Sequence, residues 1–213
     1  SSLFILSLML LMNGFNFIDG LNGLSSFNFL SIVSSVLYVG YFYDDIFIVN
    51  LSVFIIVFAV IVFLFNFPFG KIFLGDSGSY TYALFSGALI IYLFQRHNQL
   101  PTLLAMVILS YPITEMLFSI IRKILLKYSP LKPDVNHLHH LIYKRIKKIG
   151  IQSERIKHAI VTVLLFMLYF PFLLGANYFS NDSFALKVSC LIFVVLYFIF
   201  YLLLSPQNFR IKQ

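Results

Sequence analysis

The sequence has 213 residues, of which 60% are hydrophobic and 11% charged, and its formal net charge is +7. A mean hydropathy of +0.93 excludes an ordinary water-soluble domain, which needs apolar residues on only one face of each element. The positive charge is then a membrane-topology signal, nucleic acid is not an expected partner, and the single Cys190 allows no disulfide within the chain.

The first element, SSLFILSLMLLM, begins on Ser1 and has neither a basic leader nor a small-residue cleavage site. It reads as the remainder of a spanning helix, and the whole sequence as the C-terminal part of a longer protein. Further apolar runs occur at about 27–43, 46–65, 80–94, 100–121, 159–176 and 184–204. Several approach the roughly 20 residues that a helix needs to cross a bilayer core. They lack the alternating lumen and lipid faces of barrel strands. The expected fold is therefore an all-α multipass transmembrane helix bundle, one membrane domain over 1–213 with about seven spans. The runs at 2–12 and 80–94 are short for a crossing.

Seven spans place segments 13–24, 66–79 and 122–158, with the tail after 204, on one side. Thirteen of 15 Lys and Arg residues fall there, ten of them between Arg122 and Lys157, leaving Arg96 and Lys187 for the other side. By the positive-inside rule the crowded side is cytoplasmic, which suits a cell inner membrane.

Three polar stretches interrupt the apolar sequence, all on that side: NGFNFIDGLNGL at 13–24, FLGDSGSY at 73–80 and PDVNHLHHLIYKR at 133–145. In the first, Asn13, Asn16, Asp19 and Asn22 recur every three residues and would form one stripe along a helix, able to hold a cation, phosphate oxygens or a base edge. Helix capping explains one or two such residues more readily than four in phase. In the second, Gly75 and Gly78 flank Asp76 at the mouth of a helix, where free N–H groups favour phosphate, although an ordinary capped turn has the same composition. Asp76 suits Mg²⁺, which takes oxygen ligands together with substrate phosphates. In the third, His137, His139 and His140 follow Pro130 and Pro133. A zinc shell lacks further ligands there, and phosphate binding beside Lys132, Lys144 and Arg145 fits better. A solvated basic loop at the headgroups accounts for most of the lysines.

Asp44 and Asp45 lie on the opposite side and read as a solvated loop. Glu115, inside an apolar run, is costly in lipid and reads as support for the polar site or a partner of Arg122 or Lys123.

Together NGFNFIDGLNGL, KIFLGDSGS and PDVNHLHHLIYKR resemble, in that order, the polyprenyl-phosphate N-acetylhexosamine-1-phosphate transferases, which include the peptidoglycan translocase. The resemblance covers about residues 13–145. It implies transfer of an N-acetylhexosamine 1-phosphate from a UDP-sugar to undecaprenyl phosphate, with release of UMP, as a first membrane step of surface-glycan or cell-wall synthesis. Mg²⁺ would be held by Asp76, with Asn16 close to metal and pyrophosphate. Asn22 would help to read uracil where many relatives have Asp, and Asn13 would lie on the substrate side. Asp19 would border nucleotide and metal, and His137, His139 and His140 would hold phosphates or sugar. Family members also have an acidic pair in an earlier loop. Nothing before Asn13 supplies it, so this chain is expected to carry only part of a site. A homodimer, a transporter and a catalytically inactive subunit stay open as alternatives.

Overall fold

The computed structural model describes residues 2–127, 129 and 136–205, with side chains from residue 5 onward. Nine helices and no strand occur among the described residues: α1 (Ser2–Ile18), α2 (Leu24–Phe42), α3 (Ile46–Asn66), α4 (Gly75–Arg96), α5 (Leu103–Ile108), α6 (Ser110–Leu125), α7 (Leu138–Lys147), α8 (Glu154–Tyr178) and α9 (Ser183–Leu204). Pro130, Lys132 and Pro133, expected ahead of the histidines, and Arg210 and Lys212 lie outside the described residues.

Helices satisfy their own backbone groups, which a hydrocarbon environment requires. Their ends are marked by local chemistry. Asp45 caps α3 by accepting from the Ile48 amide, and Asp182 caps α9 by accepting from the Phe184 and Ala185 amides at 2.9 and 3.0 Å. Five helices are long and apolar enough to cross a membrane, namely α2, α3, α4, α8 and α9. The short run at 80–94 extends into its flanks as α4, whereas α1 contributes a shorter apolar helix, Ile5–Ile18.

The run at 100–121 is broken into α5 and α6 around Leu109. Pro112 has no N–H to offer the carbonyl of Ile108, four residues earlier. The Tyr169 hydroxyl of α8 donates to that carbonyl instead, so the break is satisfied inside protein.

The faces of the helices divide by partner. α2 is the most enclosed candidate span and packs on α3, α4 and α8, while α1 packs on α4 and α6. Phe29 of α2 stacks on Tyr82 of α4 at 4.1 Å between ring centroids. The opposite faces of α3 and α9 display Phe54, Phe58, Leu64, Leu191 and Leu203, all more than half exposed, to the surroundings. A soluble monomer does not sustain apolar patches of that extent, and lipid is the solvent that suits them.

The two ends of this bundle are polar. A helix of 19 residues such as α2 separates them by about 28 Å. Asp45 corrects the expectation of a solvated loop: it is buried, and Arg96 Nε and His97 Nε2 lie 2.6 and 2.9 Å from its Oδ2. Asp44 beside it is exposed, at φ 53°.

Candidate functional site

At the other end the three polar stretches meet. The first is no continuous helical stripe. α1 stops at Ile18, and residues 19–23 form turns before α2. Gly23 then opens α2 at φ +82°, where a Cβ would meet the Phe67 ring at 2.5 Å. Only Asn13 and Asn16 therefore belong to the helix. Asn13 is exposed, and the structure does not join it to the other site residues.

Asn16 reaches across to α4, where its Nδ2 donates to Asp76 Oδ1 at 2.7 Å. Asp76 stands in the first turn of α4, and the GDSGS residues are helical rather than a loop. Gly75 accommodates φ +63°, whereas Gly78 makes room for the Leu74 side chain, at 2.7 Å from a would-be Cβ. A close approach of phosphate to Gly78 is thus not needed to explain that glycine.

Asp19, half-buried just beyond α1, lies beside both. Burial pushes its carboxyl up to about 7, against the Gly75 amide, and the negative charge of Asp76 adds to the rise. Among the described residues no three His, Cys, Asp or Glu side chains gather as a closed metal shell. Asp19, Asp76 and the Asn16 amide make an all-oxygen donor set with two crowded carboxylates. That set suits a hard cation that keeps waters and substrate phosphates as its remaining ligands, and Mg²⁺ fits this description.

The histidines close the third side. Gly20 touches them so closely that a Cβ would lie 2.7 Å from His139 Nε2 and 3.3 Å from His140 Nε2. Phe17 packs its ring 5.0 Å from that of His137. His137 and His139 stack at 5.6 Å, and His139 and His140 are 4.1 Å apart. Glu115 provides the support expected of it. Its buried Oε1 accepts from the Leu138 amide at 3.2 Å and lies 2.9 Å from His137 Nδ1. Arg122 donates to the Asn136 carbonyl and to Tyr201, pinning the start of α7 to α9.

His139 is fully buried, yet neither ring nitrogen has a partner, and His140 Nδ1 is likewise unpartnered. Burial drives His139 well below the usual imidazole range and His140 down to about 4, with His137 adding to both shifts. At neutral pH these rings are therefore uncharged, each with one N–H to give and one lone pair to receive. The Lys144 charge adds the smallest part to the fall of His140. Lys144 reaches Asn136 Oδ1 and Arg145 reaches the Leu204 carbonyl.

Asn22 is buried, and its Oδ1 has no partner while Nδ2 points to the Pro68 carbonyl at 3.5 Å. Asn66 went unnoticed in the sequence. Its Oδ1 accepts from the Gly23 amide at 2.5 Å and its Nδ2 donates to the Ile72 carbonyl at 2.7 Å, joining the first polar stretch to the second. An amide closing a long apolar run, just before Pro68, was the available signal.

Comparisons with known proteins find sequence relatives. Residues 1–94, which hold Asn13, Asn16, Asp19, Asn22 and Asp76, match the sequence model described as Glycosyl transferase family 4. Through this stretch the chain resembles glycosyl transferase family 4. Over 139 residues, 65% of this chain and 41% of the relative, the chain is 32% identical to the undecaprenyl-phosphate alpha-N-acetylglucosaminyl 1-phosphate transferase of Thermotoga maritima. Over 199 residues, 92% of this chain and 50% of the relative, it is 28% identical to the probable undecaprenyl-phosphate N-acetylglucosaminyl 1-phosphate transferase of Bacillus subtilis. The chain thus spans half or less of the length of these relatives. No solved structure matches it.

Proposed function

We propose that this chain forms part of a Mg²⁺-dependent transferase that moves an N-acetylhexosamine 1-phosphate from a UDP-sugar to polyprenyl phosphate and releases UMP. The observation that carries this reading is the junction of Asn16 with Asp76, with the raised Asp19 alongside and the unpartnered His139 and His140 against Gly20. The printed names of both relatives describe the same transfer to undecaprenyl phosphate.

In this reaction an oxygen of the lipid phosphate bonds to the β-phosphorus of the UDP-sugar. The bond from that phosphorus to the bridging oxygen breaks, and the electron pair leaves with UMP. Such chemistry needs positioning and charge neutralisation more than covalent help from the protein. Mg²⁺, when bound, would neutralise the pyrophosphate oxygens. Asp76 and Asn16 would hold it, and their mutual hydrogen bond keeps both groups at one edge of the pocket. Asp19, near 7, is poised to take a proton from the lipid phosphate and pass it to the departing UMP phosphate. His139 and His140 offer neutral N–H donors to phosphate oxygens. Glu115 fixes His137 and the start of α7, and so the direction in which these donors point. Asn22 presents its unpartnered Oδ1 to a nucleobase N–H.

The bias of Lys and Arg toward this end of the bundle supports an inner-membrane protein with its pocket on the cytoplasmic side, where a lipid phosphate and a cytosolic nucleotide meet. The test uses the full-length membrane protein with UDP-GlcNAc, undecaprenyl phosphate and Mg²⁺. UMP release that requires all three, and that fails in Asp76→Ala, is expected. Absence of UMP across a panel of UDP-N-acetylhexosamines, or an unimpaired Asp76→Ala, would overturn the reading.

A further inference from the structure

The turn that carries Asp19 and Asn22 has a second set of contacts outside the three polar stretches. Thr162, fully buried on α8, donates its hydroxyl proton to the Asn22 carbonyl at 3.0 Å. One turn earlier on the same helix, His158 Nδ1 accepts from the Asn22 amide at 3.4 Å. Residues four apart share a helix face, so a single side of α8 takes both backbone groups of one residue. The Gly23 amide that follows is held by Asn66. Three side chains from two helices thus fix successive peptide planes, and the buried Asn22 side chain has little freedom left in where it points.

We propose that His158 and Thr162 are positioning residues that aim Asn22 at the ligand. This rests on the transferase reading above, in which Asn22 contacts the nucleotide. Accepting at Nδ1 requires a neutral ring with its proton on Nε2, so His158 acts through its lone pair and not as a charge. Neither residue is placed against the reacting phosphates, so their loss is felt in nucleotide affinity before turnover.

The experiment uses the intact membrane protein and paired variants. In His158→Asn the side-chain oxygen falls near the place of Nδ1, whereas in His158→Gln the amide falls near Nε2. Thr162→Val removes only the hydroxyl that Thr162→Ser retains. His158→Gln and Thr162→Val are expected to raise KM for the UDP-sugar about tenfold, the effect of one lost hydrogen bond, with kcat within about threefold. His158→Asn and Thr162→Ser should stay near wild type. Amide hydrogen exchange gives a readout that needs no activity: exchange at residues 19–23 should accelerate in the first pair only, while α9 stays protected. Equal behaviour of the Asn and Gln variants in both measurements overturns the proposal. An intact exchange pattern with no UMP released by wild type overturns the transferase reading alone.

Discussion

The two polar ends of the bundle are built from the same residue types and solve opposite problems. At one end, Asp45 is buried with its charge answered by Arg96 and His97, and Tyr43 reaches Asn181 across the α8–α9 connection. At the other, His139, His140, Asn22 and Glu115 each keep a buried nitrogen or oxygen without a partner. Buried polar atoms are ordinarily satisfied, and leaving one unmade costs about 1–3 kcal/mol. Asp45 is satisfied on every side, whereas these four groups keep capacity that a ligand of the proposed transferase could meet.

The sharpest way to break this contrast is to remove one carboxylate from each end. Asp76→Ala should lower UMP release by about a thousandfold, the scale of losing a principal electrostatic group, while thermal unfolding barely moves because Asp76 is exposed. Asp45→Ala should do the reverse. It removes a helix cap and a charge-assisted bond, costing roughly 1–3 kcal/mol with turnover per folded molecule unchanged. Arg96 holds the Asp45 carboxyl down at about 2, so the brace is complete above pH 4 and fails only as pH falls from about 4 toward 2.

His139→Phe sharpens the comparison from the site's side. An apolar ring of similar size no longer leaves two buried nitrogens unmet, so the melting temperature should hold or rise while activity falls by about a hundredfold. If stability drops instead, His139 is a brace after all.

The three stretches were legible because amides, carboxylates and histidines stand out against Phe, Leu and Ile, and because counting spans brought them to one side. The tertiary arrangement was less legible. Asn13, Asn16, Asp19 and Asn22 looked like one helical stripe, but α1 ends at Ile18 and the chain turns before Gly23 opens α2 in a left-handed conformation. Asp44 and Asp45 looked alike as neighbours, yet only packing against α4 tells the buried brace from the exposed turn residue. The Asn66 bridge to Gly23 crosses 43 positions, a distance over which no periodicity in the chain reports.

A smaller effect concerns Asp19. Its carboxyl is near 7 in the folded protein against 3.8 otherwise, so the native state binds the extra proton between those values. The stabilisation present below about pH 4 is lost as pH rises through 7, and the same rise should bring in kcat/KM. Asp19→Asn should flatten both profiles, measured by thermal unfolding and by initial rates. The smallest change expected is Tyr169→Phe, which strips the donor from the Ile108 carbonyl at the α5–α6 break. It should cost about 1 kcal/mol without altering turnover.

The grip of α8 on Asn22 joins positions 140 apart. During synthesis the turn after α1 would wait until α8 is made, its Asn22 carbonyl without the hydroxyl that later meets it. Ordering of that turn then waits on α8, and a ribosome stalled before Thr162 would leave Asn22 ungripped.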